Sequence, residues 1–296
     1  MEQGLNQDSI RTDDYTWLQA WLHGHSSIVL EPGRKFLAEK RLRPLLWQHQ
    51  MPDFKALFSQ LKAQPSSPLA AEVLEALTQS ETWFFRDMPF FELLRERLLP
   101  EARYRRAGKR VRIWSAGCST GQEAYSLAML LHLTWGPNWT DHAQIVATDI
   151  SPRQVAHARE GSYTREEVNR GLPINYLTRY FTQSGTHWKI AEELKQGIEF
   201  SPQRLDKPWH YHEEFDIILM RNVLVYFDES TRLELLWRTR KQLAEDGVLL
   251  LGALENCELK EGMPRQEGGK IWYYQRGGLT KGAVQAEAGL FSPQAA

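Results

Sequence analysis

The stretch from Arg112 to Met129 constrains this chain more than any other. Val111 and Ile113 alternate as in a strand, small residues run from Ser115 to Gly121, and Ala124, Leu127, Ala128 and Leu131 then recur at helical spacing. The pattern is a strand, a tight glycine turn and a helix, the opening of a βαβ unit. Gly117 and Gly121 admit positive φ and let a ligand approach the backbone closely. Ser119 and Thr120 are expected to cap the helix, with Glu123 in its first turn, placed to receive a hydroxyl or an ammonium group. The turn departs from G-x-G-x-x-G, which speaks against a dinucleotide, and a glycine turn alone serves equally well as a plain connection.

The next unit is sharper. Ala143 to Ile150 reads as a second strand with Asp149 at its carboxyl end. Ligands of open α/β sheets bind at the carboxyl ends of strands, and an acid there holds ribose hydroxyls. The other role open to Asp149 is to cap the helix Pro152–Arg159, which Ser151 can do instead. A nucleoside without an obvious phosphate cradle fits this arrangement, and S-adenosylmethionine (SAM) is such a ligand.

At 296 residues the chain has length for about two domains. Its net charge of −1 gives no polycation for nucleic-acid binding. Residues 1–14 are polar and acidic, unlike a signal peptide, and are expected to be flexible. No apolar run approaches the roughly 18 residues of a membrane span. The expected location is the cytoplasm, without direct membrane insertion. Cys118 and Cys257 lack metal-type spacing, no metal site is expected, and Cys118 reads as a small packed residue rather than a nucleophile.

Residues 15–106 are helical throughout. After a first apolar face at Trp17, Leu18, Trp21 and Leu22, a Pro32-Gly33 break leads into a second helix. There Phe36, Leu37, Leu42 and Leu45 form one side, while Arg34, Lys35, Lys40, Arg41 and Arg43 carry the rest. Five bases against one acid are either a solvated face or a landing surface for an acidic partner. Phe54, Leu57, Phe58 and Leu61 mark a third helix, and Leu69–Leu77 a fourth. The cluster Trp83-Phe84-Phe85-Arg86 reads as core between two domains, with Arg86 needing an anion, either a substrate carboxylate or Asp87. A basic segment from Arg103 to Arg110 reads as the boundary.

Residues 107–276 form the second domain. An insertion over about 183–200 contains short strands at His187–Ile190 and Gly197–Phe200. Phe215–Met220 is a doubly buried strand running into Arg221-Asn222, Asp228 or Ser230 caps a helix through Leu243, and Val248–Leu251 and Lys270–Gln275 are strands. Residues 277–296 are Gly/Ala/Gln-rich and expected to be disordered.

Taken together, Thr82…Phe84-Phe85-Arg86, the turn Gly117 to Glu123, Ala147-Thr148-Asp149-Ile150 and Arg221-Asn222-Val223…Tyr226-Phe227 resemble the CheR family. These are SAM-dependent glutamate O-methyltransferases of chemotaxis receptors. The resemblance runs in order from about Lys35 to Gln275. It implies an α/β fold: a Rossmann-like class I methyltransferase sheet with a helical N-terminal domain and a small antiparallel β insertion. It implies cofactor contacts at Thr82, Arg86, Gly117, Glu123, Asp149, Arg221 and Asn222, and Tyr226 close to the transferred methyl, so that Arg86 and Tyr226 are the residues expected to act in catalysis. It also implies receptor recognition by Lys35, Lys40, Arg41 and Arg43, chemoreceptor cytoplasmic domains as partners, S-adenosylhomocysteine (SAH) as product, and an opposing methylesterase. Two positions depart from the family: Ser80 replaces an Asn, and Arg204-Leu205 replaces an Asn-Leu pair, in the part of the site that contacts the cofactor. The insertion is short, so no grip on a receptor's C-terminal pentapeptide is expected. The alternatives are a non-catalytic receptor-binding or cofactor-sensing module on the same fold, or methylation of a small molecule or nucleic acid.

Overall fold

The computed structural model describes residues 9–78, 81–257, 259 and 262–277. The expectations for residues 1–8, for Ser80 and for 278–296 fall outside them. The first third is a set of four helices, α1 (Thr12–Ser26), α2 (Lys35–Gln48), α3 (Phe54–Ala63) and α4 (Pro68–Thr78). Residues 9–14 are built into this domain rather than hanging free. Ile10 is buried, its N–H and the Ser9 hydroxyl both donate to Glu39, and α1 begins at Thr12. The amphipathic spacing of α3 buries Phe54, Leu57, Phe58 and Leu61, with Asp53 capping the helix through the Ala56 N–H.

α5 (Met88–Leu93) and α6 (Leu99–Arg106) are joined by a π-helical turn at Leu94–Leu98. The sheet domain then follows: β1 (Val111–Ala116), α7 (Gln122–Trp135), β2 (Ala143–Asp149), α8 (Pro152–Glu160), β3 (Ser162–Thr164), α9 (Arg165–Asn169), α10 (Ile174–Tyr180), β4 (Phe181–Ser184), β5 (His187–Ile190), α11 (Glu192–Lys195), β6 (Ile198–Pro202), β7 (Phe215–Met220), α12 (Glu229–Gln242), β8 (Leu243–Leu251), β9 (Arg265–Gly268) and β10 (Ile271–Gln275). The main sheet has the order β6-β2-β1-β7-β8-β10-β9. Its first five strands are parallel and the last two antiparallel.

The strands leave β1 toward β2 on one side and β7 on the other, so the crevice beyond the carboxyl end of β1 lies at a topological switch point. Successive side chains alternate faces. Val111, Ile113, Ile217 and Leu219 enter one buried layer, with α6, α7 and the small sheet. Trp114, Ala116, Ile218 and Met220 enter another, with α1–α4 and α12. The helical domain therefore covers one face of the sheet. Fully buried Trp114 lies in this layer, edge-on to Trp209 at 4.7 Å and donating from Nε1 to Thr148 at 2.9 Å.

Several expectations are corrected. Phe84 and Phe85 are not packed between the domains; they belong to the opposite layer, where Phe84 meets Tyr163 and Phe181 and Phe85 meets Phe91 and Tyr176. Phe36 does not share the buried side of α2, which is made by Ala38, Leu42, Leu45 and Leu46. The small sheet is β3-β5-β4, whereas the strand at Ile198–Pro202 pairs parallel with β2 as an edge of the main sheet. The Asp246-Gly247 turn is an irregularity inside the longer strand β8, where the register with β7 shifts. One base of the boundary segment, Arg106, is structural. Arg106 Nε donates to both oxygens of buried Asp216, at 2.6 and 2.7 Å, tying the end of α6 to β7.

Candidate functional site

A cleft of about 500 Å³ opens beyond the carboxyl ends of β1, β2 and β7, against the edge of the helical domain. Its floor is the glycine turn. Gly117 has φ +83°, and a Cβ there would stand 2.5 Å from Val223 Cγ2, so only glycine fits. The helix after the turn is not capped by Ser119 or Thr120: its N-cap is Gly121, at φ +93°, without a side-chain hydrogen bond. Ser119 is used otherwise, its N–H donating to Asp149 and its hydroxyl to Gln154.

Asp149 is buried, and Ser151, not Asp149, caps α8 through the Gln154 N–H. Asp149 Oδ2 accepts from the Ser119 N–H at 2.8 Å and Oδ1 from the Ser151 N–H at 3.0 Å. A carboxylate has about four acceptor positions, and with the Ile150 N–H also favouring its ionised form it keeps capacity for a further donor such as a ribose hydroxyl. Burial pushes this carboxyl above its ordinary pKa, against the lowering by the backbone N–H groups of Ser151, Ser119 and Ile150. Ile150 and Leu205 give this end of the cleft apolar walls, and Gln203 lies beside them. The geometry suits a nucleoside.

Glu123 is held from two sides, accepting from the Ser115 hydroxyl at 2.7 Å and from Arg221 Nη1 at 3.0 Å. The Arg221 side chain is only 2% exposed. Its Nη2 donates to the Arg86 carbonyl at 2.8 Å and to the Asp87 carboxylate, and its guanidinium lies 4.1 Å from the centre of the Phe90 ring. Arg221 thus holds the walls together through its two terminal nitrogens, while its buried Nε has no hydrogen-bond partner among the described residues. Asp87, weighed as the partner of Arg86, pairs with Arg221 instead. Arg86 donates to the Glu81 carbonyl and rests on Trp83, its guanidinium 4.3 Å from the ring centre.

Asn222 adopts φ +58°, and its buried Oδ1 has no hydrogen-bond partner among the described residues. Glu255 fixes this loop. Its Oε2 accepts from the N–H groups of Asn222 (2.6 Å) and Gly252 (2.8 Å), and its Oε1 from Val225 (3.3 Å). Phe85, Asp87, Ser119 and Asn222 all hold left-handed backbone beside the cleft, a conformation costly for non-glycine residues and found where a site is preorganised. Glu255→Ala leaves three donors without an acceptor, at about 1–3 kcal/mol for each one buried. Melting temperature and nucleoside affinity are expected to fall together. Glu255→Gln keeps a carbonyl facing Asn222 and Gly252 and is expected to recover most of both, as thermal melts and calorimetry will read.

Thr82, Arg86, Gly117, Glu123, Asp149, Leu205, Arg221, Asn222 and Tyr226 all line the cleft. Arg204 does not: it is turned to Asp206, with contacts of 3.0 and 2.6 Å. Of the four bases of α2 only Arg41 reaches the cleft, where Arg34 joins it; Arg41 donates to the Leu77 carbonyl at 2.6 Å, and burial lowers its pKa. Lys35 lies 3.9 Å from Glu39, Lys40 is exposed, and the Arg43 guanidinium is 5.4 Å from the centre of the Phe54 ring. Sequence reasoning missed Gln203 and Glu255. Both follow the carboxyl end of a parallel strand, the signal that marked Asp149. Cys118 is buried and its thiol pKa is pushed well up by burial, so it stays a protonated packing residue.

Two family descriptions match nearly the whole chain: CheR methyltransferase, all-alpha domain, over residues 13–78, and CheR methyltransferase, SAM binding domain, over residues 80–270. The chain is 33% identical over 246 residues to the chemotaxis protein methyltransferase Cher2 of Pseudomonas putida, covering 82% of this chain and 90% of that one. It is 34% identical over 246 residues to chemotaxis protein methyltransferase 1 of Pseudomonas aeruginosa, covering 82% and 89%. With the chemotaxis protein methyltransferase of Vibrio parahaemolyticus it shares 33% identity over 252 residues, covering 84% and 90%.

Proposed function

The chain belongs to the CheR methyltransferase family, and we propose that it transfers the methyl group of SAM to glutamate side chains of chemoreceptor cytoplasmic domains, forming methyl esters. The observation that carries this reading is the two-ended cleft. The buried carboxylate of Asp149 offers its remaining acceptor capacity to a ribose at one end, and the arginines Arg34, Arg41 and Arg86 line the same space. The residues fit the cofactor on three counts: the remaining acceptor capacity of the buried Asp149 carboxylate, the cradle at Gly117 that a Cβ would fill, and the unpartnered Asn222 Oδ1, which suits a donor on its amino-acid end.

When bound, SAM supplies an electrophilic methyl carbon on a sulfonium. A glutamate side chain is already ionised at neutral pH, so the protein need not remove a proton from it. What the chain must do is align and dry the acceptor. Arg41 and Arg34 attract the carboxylate, Arg86 lines the cleft with its carbonyl held by Arg221, and Tyr226 forms part of the wall against which the acceptor oxygen is aligned. Tyr226 is held by its own backbone, its carbonyl accepting from the Val29 N–H at 2.7 Å, beside the Ile28–Phe227 bridge. The helical domain is thereby stitched to the loop it helps to wall. β4 and β5 are joined by Gly185-Thr186 alone, which supports action without a pentapeptide tether.

The test is incubation with labelled SAM and a purified receptor cytoplasmic fragment. Label released as methanol by mild alkali is expected; no label, or label stable to alkali, overturns the reading. Calorimetric binding of a receptor tail peptide would overturn tether independence. Arg41→Glu is expected to lower kcat/KM for the receptor about 30-fold or more, the effect of disrupting a desolvated charge contact, while SAH affinity stays at wild type.

A further inference from the structure

Trp83 lines the cleft and carries two guanidiniums. That of Arg86 lies 4.3 Å from the ring centre and lines the cleft beside it. That of Arg170, in the connection between α9 and α10, lies at the same 4.3 Å, but Arg170 takes no part in the cleft lining. Gly171 brings this connection against the segment that crosses the strand ends. It has φ +84°, and a Cβ there would overlap the Phe84 carbonyl oxygen and stand 2.7 Å from Trp83 Cδ1, so only glycine fits. Two like charges on one ring repel, and a carboxylate within reach of both decides which of them stays uncompensated. That carboxylate is Glu81. Its Oε2 stands 3.1 Å from Arg170 Nη2, whereas Arg86 takes only the Glu81 backbone carbonyl, at 3.2 Å. Asp87, the other acid nearby, is held by Arg221. Arg86 therefore makes no ion pair among the described residues and keeps an uncompensated charge at the cleft wall.

We propose that Arg170 is a positioning residue for methyl transfer: by engaging the Glu81 carboxylate and the Trp83 ring, it leaves the Arg86 guanidinium free to face a carboxylate in the cleft. This inference rests on the receptor-methylation reading and deepens it, because it names what keeps one of the cleft arginines available to an anion. Without Arg170, the Glu81 side chain can turn to the guanidinium that its own backbone already holds, and the charge is compensated before substrate arrives. Arginine suits this task better than lysine, since its planar group stacks on a ring and donates to a carboxylate at once. The carboxylate that Arg86 faces is that of the acceptor glutamate or that of the amino-acid end of SAM.

The experiment measures methylation of a receptor cytoplasmic fragment, SAH affinity and melting temperature in wild type, Arg170→Ala, Arg170→Lys, Glu81→Gln and the double variant Arg170→Ala with Glu81→Gln. The Glu81 and Arg170 side chains are 77% and 51% exposed, so the effect is modest. Arg170→Ala is expected to lower kcat/KM for the fragment, or SAH affinity, about three- to fivefold, and less at high salt, with melting temperature at wild type. The double variant is expected to recover most of that loss, because no carboxylate remains to compensate Arg86. Arg170→Lys is expected to lose less than Arg170→Ala. A raised fragment KM with SAH affinity unchanged assigns the cleft carboxylate to the acceptor, and weakened SAH binding with fragment KM unchanged at saturating SAM assigns it to the cofactor. Wild-type values of both in Arg170→Ala, on a fragment that wild type methylates, overturn the positioning role alone. A loss that Glu81→Gln does not relieve, or one matched by a lower melting temperature in both Arg170→Ala and the double variant, overturns it too and leaves Arg170 a structural clamp. A wild-type chain that places no alkali-labile methyl on the fragment overturns the receptor reading and this inference with it.

Discussion

Asp149→Ala is expected to weaken SAH binding by about two orders of magnitude. A hydrogen bond from a ribose hydroxyl to a carboxylate is worth about 1.5–3 kcal/mol, and the upper figure gives roughly 150-fold. The substitution also strips the Ser119 and Ser151 N–H groups of their acceptor. Asp149→Asn keeps an acceptor and loses the charge, and is expected to fall in between. Burial raises this carboxyl's pKa, whereas hydroxyl donors favour its ionised form. SAH affinity is therefore full above that pKa and declines as pH falls through it, with a proton released on binding from the acid side. In the unliganded fold the sign is opposite. The raised pKa gives a stability contribution present below the unfolded carboxyl's pKa and lost as pH rises through the folded value. Calorimetry in buffers from about pH 8 to about pH 5 checks both, and Asp149→Asn is expected to lose this acid limb.

Arg221→Ala is expected to be nearly as damaging, by a different route. Its side chain spans Glu123, the Arg86 carbonyl, Asp87 and the Phe90 ring. Breaking a buried charge network by removing one partner costs about 3–5 kcal/mol. Here that loss also frees both the wall carrying Arg86 and the carboxylate of Glu123, and turnover is expected to drop by about 100-fold or more. Arg221→Lys retains the charge without the planar fork. It is expected to restore part of the melting temperature and little of the turnover. Wild-type turnover in Arg221→Lys would show that the fork geometry is dispensable.

The parts legible in the sequence are those where local pattern and tertiary use agree. The run from Val111 through Leu131 can satisfy its alternation, its glycines and its helical spacing in one way only, and Asp149 sits where any strand-end acid of such a sheet must. Phe36 was misleading because α2 carries apolar residues on two sides, and periodicity does not say which side meets the core. Phe84 and Phe85 were expected in a core, and are in one, but no local signal tells which side of a sheet a segment will reach. Arg204 lies one residue from Gln203 and Leu205, which line the cleft, yet Asp206 two residues on captures its guanidinium. Glu255 escaped notice because the turn Gly252-Ala253-Leu254 separates it from the strand end that gives it its role.

The route of the chain over residues 81–88 has a consequence for how such proteins can be assembled by recombination. α4 ends in the layer on one side of the sheet, Phe84 and Phe85 are already in the layer on the other, and the crossing passes over the strand ends with Thr82, Trp83 and Arg86 lining the cleft on the way. The two family segments meet at residues 78 and 80, just before that crossing. A helical domain spliced in upstream of Glu81 exchanges only the cleft wall that residues such as Arg34, Leu37 and Arg41 supply, whereas a joint downstream of the crossing exchanges Thr82, Trp83 and Arg86 as well. The upstream joint keeps the strand-end floor at Gly117 and Asp149 together with the crossing that walls it, and the downstream joint separates them.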